Sequence, residues 1–381
     1  MARILILHAS VGLGHRRAAE ALARAFALRR ASRVCVEDTL AHGSPLFRQL
    51  YAGSYLELSE KAPALWAYFY QRADETDTQL TQALRKLIDE IGVTELDTLI
   101  ARFQPDAIVC THFLPVDLLV QQRRRGRPVP PLYCVVTDYT GHLFWAYRDV
   151  DGYFVPSHLS AKMLAERGVP PDRIMVTGIP VDPAIAEPKD RAQVRLDRHL
   201  DAGPIVTLFG GGLAVQRVRQ IVTDLVRGEM RGTLVVVAGR NAGLVDALRE
   251  VKGTERLALH VLGFIDYVDD LIAASDLVVT KAGGLIVSEV LARGRPLVLV
   301  DPIPGQEEWN ADYVVSVGAG VQVRLGPMVP AVVVNLVANP THRQILEDGA
   351  ARAGRPMAAL TIADAILAAI ASEGAFPRSS L

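Results

Sequence analysis

Residues 280–312 read "TKAGGLIVSEVLARGRPLVLVDPIPGQEEWNAD". A β-branched run stops at Gly283-Gly284, a helix carrying one glutamate follows, and a second apolar run ends in Pro304-Gly305-Gln306-Glu307. Glycines in such a place let the backbone approach a ligand closely and leave helix N–H groups aimed at an anion. The helix dipole supplies only about 0.3–1 kcal/mol, whereas micromolar affinity requires about 8 kcal/mol. Further contacts must contribute. Glu289 stands one turn into the helix, where side chains lean back toward the N-terminus, and its carboxylate suits two vicinal ribose hydroxyls better than a phosphate. Gln306 and Glu307, amide beside carboxylate, suit the hydroxyls of a sugar. Upstream, Gly210, Gly211 and Gly212 in "FGGGLAVQ" suit a diphosphate, and "LGFID" (262–266) ends another strand where main-chain groups can read a base edge.

A second centre lies near the N-terminus, in "HASVGLGHRRAAEALARAF" (8–26). Ala18, Leu22 and Phe26 recur every four residues, so the Gly12-x-Gly14 turn feeds a helix. His15 falls in its first turn, where the positive end of the dipole disfavours imidazolium and keeps the ring neutral and able to accept a proton. A capping or loop role is the plainer reading of such a histidine. Position 17 is Arg, so the turn is not the G-x-G-x-x-G dinucleotide fingerprint, which argues against NAD(P).

The elements that must position these loops alternate regularly. Short β-branched runs at 4–7, 34–38, 107–111, 132–138, 152–157 and 174–180 are separated by helical patterns, and the rhythm restarts at 205–210, 233–239, 257–264, 276–281 and 296–302. This is α/β patterning with parallel sheets, read as two Rossmann-like units in tandem. The proline-bearing stretch 182–190 is the expected linker, giving domains 1–183 and 184–360 and a terminal helix and tail at 361–381. The loops all follow strand ends, the edge at which α/β folds bind ligands.

The chain has 381 residues, 50% hydrophobic and 22% charged, with a formal net charge of -1. That is globular composition without a global field to gather nucleic acid, and no nucleic-acid partner is expected. Cys35, Cys110 and Cys134 lie in apolar runs without metal-ligand spacing and read as buried free thiols. "MARILILHAS" reads as a strand and loop rather than a signal peptide, and no uncharged apolar stretch is long enough to span a bilayer. A soluble protein, at most resting on a membrane surface, is expected. Asp149-Val150-Asp151 matches the Asp-x-Asp of metal-dependent sugar transferases, but it lies in the N-terminal half, away from the nucleotide loops, and reads as coincidence. Between the second and third strands, 44–74 concentrates aromatic residues, among them Phe47, Tyr51, Trp66 and Phe69. It is either a buried helical pair or an amphipathic flap at a headgroup boundary.

"GLGHRRAAEAL", "VVTDYTGHLFW", "VTGIPV", "TKAGGLIVSEVL" and "DPIPGQEEWNADY" resemble the corresponding motifs of the monogalactosyldiacylglycerol synthases and processive diacylglycerol glucosyltransferases, over roughly residues 3–325 and in the same order. These are inverting enzymes of GT-B fold, related more distantly to the lipid II-forming N-acetylglucosaminyltransferase. The resemblance implies two Rossmann-like domains facing each other across a cleft, and transfer of glucose or galactose from UDP-glucose or UDP-galactose to 1,2-diacylglycerol or a related lipid, giving a β-glycosyl lipid. UDP-sugar would be a co-substrate, with no cofactor and no metal.

By the same implication Glu289 holds ribose, while Gly283, Gly284 and the Gly210–Gly212 loop hold the diphosphate. Leu285 also belongs to the nucleotide-sugar contacts, Phe264 takes the uracil, and Gln306 and Glu307 take the donor sugar. His15 removes the acceptor's proton, with Asp138 as the other candidate or as its orienting partner, and Gly14, His142 and Trp145 shape the acceptor side. The chain departs from the family in reading Gly12-Leu13-Gly14-His15 where Gly-Gly-Gly-His is common, and in lacking a later glycine in the 210 loop. The expected location is cytoplasmic, peripheral at the inner face of the cell membrane. The aromatic segment and the arginines of "QQRRRGRP" (121–128) are the candidate contacts with an anionic surface, where each basic side chain adds about 1 kcal/mol. Two rival readings share the donor: a UDP-sugar 2-epimerase of similar fold, and a non-catalytic UDP-sugar sensor.

Overall fold

Ile4–Leu7 have no solvent exposure at all, as a strand covered on both faces requires. In the computed structural model, which describes residues 1–10, 12–30, 32–43, 94–200 and 203–372, this run is the centre of strand β1, Ala2–His8. It is followed by β2 (Ser32–Asp38), β3 (Ala107–Cys110), β4 (Leu132–Val135), β5 (Gly152–Val155) and β6 (Ile174–Val176). All pair in parallel in the order β2-β1-β3-β4-β5-β6.

The chain divides into two compact units, neither contiguous in sequence. The first holds Met1–Ala184, the short stretch Ile303–Trp309 and the terminal Met357–Leu381; the second holds Ile185–Pro302 and Asn310–Pro356.

In the first unit, helix α1 (Leu13–Leu28) covers one sheet face. Ala19, Ala21, Leu22, Ala25 and Phe26 are buried on it, and they share a core with Ile4, Ile6, Val109 and Tyr133. The same core takes Ala359, Ile362, Ala363 and Ile366 from the terminal helix Ala358–Ala371. Helix α2 (Phe113–Arg124) covers the opposite face through Leu114, Val116 and Leu119. Each fully buried aliphatic side chain is worth about 1.5–3 kcal/mol. Cys110 and Cys134 are buried free thiols on adjacent strands, and Cys35 is a half-buried one. Pro340–Ala371 is long and apolar enough to cross a membrane by composition, yet it folds as two helices, Pro340–Ala353 and Ala358–Ala371, whose apolar residues fill cores.

The second unit repeats the plan with β7 (Ile205–Phe209), β8 (Gly232–Val237), β9 (Leu257–Leu262), β10 (Leu277–Thr280), β11 (Leu297–Val300) and β12 (Gly320–Val323). The order is β12-β11-β10-β7-β8-β9, again parallel throughout. Helices α3 (Val215–Arg227) and α4 (Gly284–Ala292) follow β7 and β10, and α5 (Gln306–Ser316) follows β11. Lys189 is pinned to Asp269 and Asp270, and Arg191 and Arg195 to Asp276, so the end of the expected linker and the chain just past it are bound into this unit.

In both sheets the strand order reverses direction beside the first strand, between β1 and β3 and between β7 and β10. At such a point the loops leaving the two strands diverge and open a crevice. The Gly12-x-Gly14 turn leaves β1, the Gly210–Gly212 loop leaves β7, and the Gly283-Gly284 loop leaves β10.

Candidate active site

Gly12 caps α1 with φ of 130°, backbone that a side chain would strain, and this places His15 in the helix's first turn. His15 Nδ1 lies 2.9 Å from the carbonyl oxygen of Thr111, just past β3. A carbonyl only accepts, so Nδ1 carries the proton and Nε2 is left as the ring's acceptor. Thr137 Oγ1 lies 2.9 Å from the same nitrogen and donates its own proton to Thr111 O at 3.4 Å. Thr111 Oγ1 donates back to the His15 carbonyl at 2.9 Å. Burial lowers the His15 pKa to about 4, against the opposing pull of the Thr111 hydrogen bond. At neutral pH the half-buried ring is therefore uncharged, with its tautomer fixed.

Two more imidazoles accompany it, and the sequence reading overlooked both. His8 ends β1 and is buried, with its pKa lowered by burial and partly restored by Asp38. His112 follows Thr111, is fully buried, and caps α2 by accepting the Leu114 N–H on Nδ1 at 3.0 Å. Its ring meets that of His15 edge-on, with centroids 4.5 Å apart and planes at 81°. The available signal was position: each histidine stands at the end of a strand flanking the reversal point.

Gly14 has open space around it, which leaves the turn beside His15 accessible. Asp138 is half-buried, one residue beyond Thr137. His142 and Trp145, expected at the acceptor mouth, are instead buried. His142 caps the short turn Leu143–Trp145 by accepting the Phe144 N–H on Nδ1, and Trp145 packs in a cluster with His112 and Phe113. The half-buried rings there are Phe113 and Phe144, stacked with centroids 5.2 Å apart. His142 packs on Phe144 and Trp145 on Phe113, because the run bearing them folds inward as a 3-10 turn.

In the second unit α4 begins at Gly284 with no side chain capping it, so its first N–H groups are available to an anion. Lys281 runs beside the neighbouring loop, its Cδ 4.0 Å from where a Cβ on Gly212 would stand. A Cβ on Gly210 would press on Leu208, Val218 and Leu244, and one on Gly211 would come within 2.8 Å of Ala238 O. Leu285 and Glu289 are buried on α4, Glu289 only 3% exposed. Phe264 is 66% exposed with the Arg240 guanidinium 5.0 Å over its ring, a flat surface fit for stacking. Asn310, also overlooked, is fully buried on α5 and donates from Nδ2 to Ala282 O at 2.9 Å, fixing the loop that precedes α4.

Gln306 and Glu307 fall in the Ile303–Trp309 stretch that groups with the first unit. Glu307 Oε2 accepts the Ile303 N–H at 2.7 Å, and Glu308 Oε2 accepts the Gly305 N–H at 3.0 Å. The Glu307 carboxylate thus shapes its own loop, where Gly305 takes φ of 97°.

The family model of monogalactosyldiacylglycerol (MGDG) synthase matches residues 15–181, and that of the glycosyltransferase family 28 C-terminal domain matches residues 205–344. Over 339 residues the chain is 28% identical to the processive diacylglycerol beta-glucosyltransferase of Bacillus subtilis (strain 168), covering 88% of this chain and 87% of that one. Two glycosyltransferase family models thus match the chain in succession, and the protein is a glycosyltransferase. Among solved structures, MurG of Acinetobacter baumannii matches with a TM-score of 0.60 at 16% identity, covering 97% of this chain and 100% of that one. UDP-GlcNAc 2-epimerase from Neisseria meningitidis bound to UDP-GlcNAc matches with a TM-score of 0.61 at 14% identity, covering 96% and 100%. At these identities the likeness is one of fold, and the fold is GT-B.

In this glycosyltransferase the run 121–128 is largely occupied by structural ion pairs. Arg123 binds the Asp151 carboxylate at 2.8 Å and Pro130 O at 3.0 Å, Arg124 binds Asp149 at 2.6 Å, and Arg127 binds Asp97 at 2.7 Å. Asp149 and Asp151 are therefore arginine partners, which accounts for the Asp-x-Asp string. The same pairing revises the expectation that four arginines are available for an anionic surface. The aromatic segment 44–74 lies outside the described residues.

Proposed function

We propose that the protein moves glucose or galactose from UDP-glucose or UDP-galactose to a hydroxyl of 1,2-diacylglycerol or a related lipid, with inversion at the anomeric carbon, at the anionic cytoplasmic face of the membrane. The observation that carries the reading is His15: a neutral imidazole with its proton held on Nδ1 by Thr111, in a chain 28% identical to a diacylglycerol glucosyltransferase. The acceptor oxygen bonds to the anomeric carbon as the bond from that carbon to UDP breaks, and His15 Nε2 takes the hydroxyl proton. A base in that place is worth about 10²–10⁴ in rate. The N–H groups of α4 and the Gly210–Gly212 loop favour the departing diphosphate, Glu289 the ribose, and Phe264 the base.

The test incubates the full chain with UDP-glucose or UDP-galactose and diacylglycerol liposomes, following glycolipid and free UDP. A β-glycolipid with UDP release dependent on acceptor is expected. His15→Ala should bind UDP normally by calorimetry and lose at least about 100-fold in kcat, while Glu289→Ala should lose UDP binding. Conversion of the UDP-sugar without acceptor would indicate the epimerase reading, which shares this fold. Undiminished turnover in His15→Ala would retire the base assignment.

A further inference from the structure

Thr111 and His112 are the first residues past β3, and together they enclose His15. Thr111 O accepts a hydrogen bond from His15 Nδ1, and Thr111 Oγ1 donates to the His15 carbonyl; His112 meets the ring edge-on at 4.5 Å. Because His112 Nδ1 accepts the Leu114 N–H, its own proton sits on Nε2, and that nitrogen is buried with no hydrogen-bond partner among the described residues. A buried donor left unsatisfied is costly.

Neither structural duty of His112 requires it. Capping α2 is done better by Asp, Asn or Ser, and packing against Phe113, 4.2 Å away between centroids, could be met by an apolar ring. What only an imidazole provides here is a cap acceptor on one edge together with a fixed N–H on the other, in a ring set against His15.

We propose that His112 is a positioning residue for His15: its edge-on ring, with the proton locked on Nε2, holds the His15 imidazole in the orientation and tautomer that keep His15 Nε2 open to an incoming hydroxyl. The inference rests on the assignment of His15 as proton acceptor. The same packing helps bury His15, and burial is what lowers its pKa. The other titratable and charged groups around the cluster are His8 at the end of β1, Asp38 at the end of β2, and Arg16 and Glu20 on α1 itself. Thr111 and Thr137 add uncharged contacts from past β3 and β4, and Asp138 follows Thr137.

The experiment uses the full chain labelled with 15N-histidine, the His15 signals assigned by their loss in His15→Asn. His112→Asn keeps a side chain able to cap α2 and removes the ring; His112→Phe keeps a ring and removes both nitrogens. In His112→Asn the His15 midpoint should rise by about one pH unit, and in both variants the Nδ1-protonated fraction should fall. The acid limb of kcat/KM should shift with the midpoint, and kcat at pH 7 should drop about tenfold with the donor KM little changed. An unmoved midpoint and tautomer in the folded variants would overturn the proposal, as would failure of both variants to fold, since His112 would then be structural. The imidazole signals report the coupling whether or not His15 is the base, which the turnover of His15→Ala decides separately.

Discussion

Thr111 grips His15 at both ends, its carbonyl accepting the Nδ1 proton at 2.9 Å while its hydroxyl donates to the His15 carbonyl at 2.9 Å. One strand end thereby fixes both the ring and the helix turn that carries it. Rigid support of this kind is what a reacting group needs, since small displacements are costly in rate.

Thr111→Val keeps the β-branched shape and the backbone acceptor but loses the hydroxyl. One net hydrogen bond is worth about 1 kcal/mol, so kcat should fall about fivefold with UDP affinity unchanged. Steady-state kinetics beside UDP calorimetry reads this, and a change in UDP affinity alone would contradict it.

The histidine cluster makes the protein acid-labile. The unfolded chain protonates histidine near pH 6.5, whereas folding holds His15 near 4 and lowers His8 and His112 as well. Stability is therefore full above about pH 6.5 and falls as pH drops toward 4, with His15 alone costing about 3 kcal/mol by the end. Urea titrations at pH 7, 6, 5 and 4 should show a shallower decline for His15→Asn than for the parent.

Glycines 211 and 212 should respond oppositely to the same change. A Cβ on Gly211 would stand 2.8 Å from Ala238 O, a backbone atom that cannot swing aside, whereas on Gly212 it meets only Lys281 Cδ at 4.0 Å. Gly211→Ala should cost about 1–3 kcal/mol and impair UDP binding, and Gly212→Ala should leave the thermal midpoint within a degree or two. Differential scanning calorimetry with and without UDP distinguishes the two.

Asn310→Leu removes the Nδ2 donor to Ala282 O, and losing a buried hydrogen bond in this way costs about 1–3 kcal/mol. With the loop before α4 loosened, UDP should bind about tenfold more weakly while the His15 titration stays in place.

The sheets were legible in the sequence because strands buried on both faces must be apolar throughout, as "ILIL" and "LVLV" are, and turns must carry Gly or Pro. His15 was legible because a Gly turn followed by a helix announces itself locally. Its partners were not: Thr111 and Thr137 lie 96 and 122 positions away, and only the order in which the strands pair brings them together. His142 and Trp145 misled in the opposite way, since their residue types suit an acceptor mouth but the 3-10 turn directs them inward. The arginine run and the Asp-x-Asp string each invited a separate functional reading, yet Arg123 and Arg124 of the one pair with Asp151 and Asp149 of the other.

The terminal helix bears on how the chain is made. Its Ala359, Ile362, Ala363 and Ile366 complete the core under α1, so the first sheet's core stays unfinished until this helix, made after the whole second sheet, has emerged. Severing the chain after Ala184 would leave an exposed greasy seam along α1 instead of a self-sufficient fragment, and co-translational folding of this enzyme must keep that seam from aggregating for the whole time the second sheet is being made.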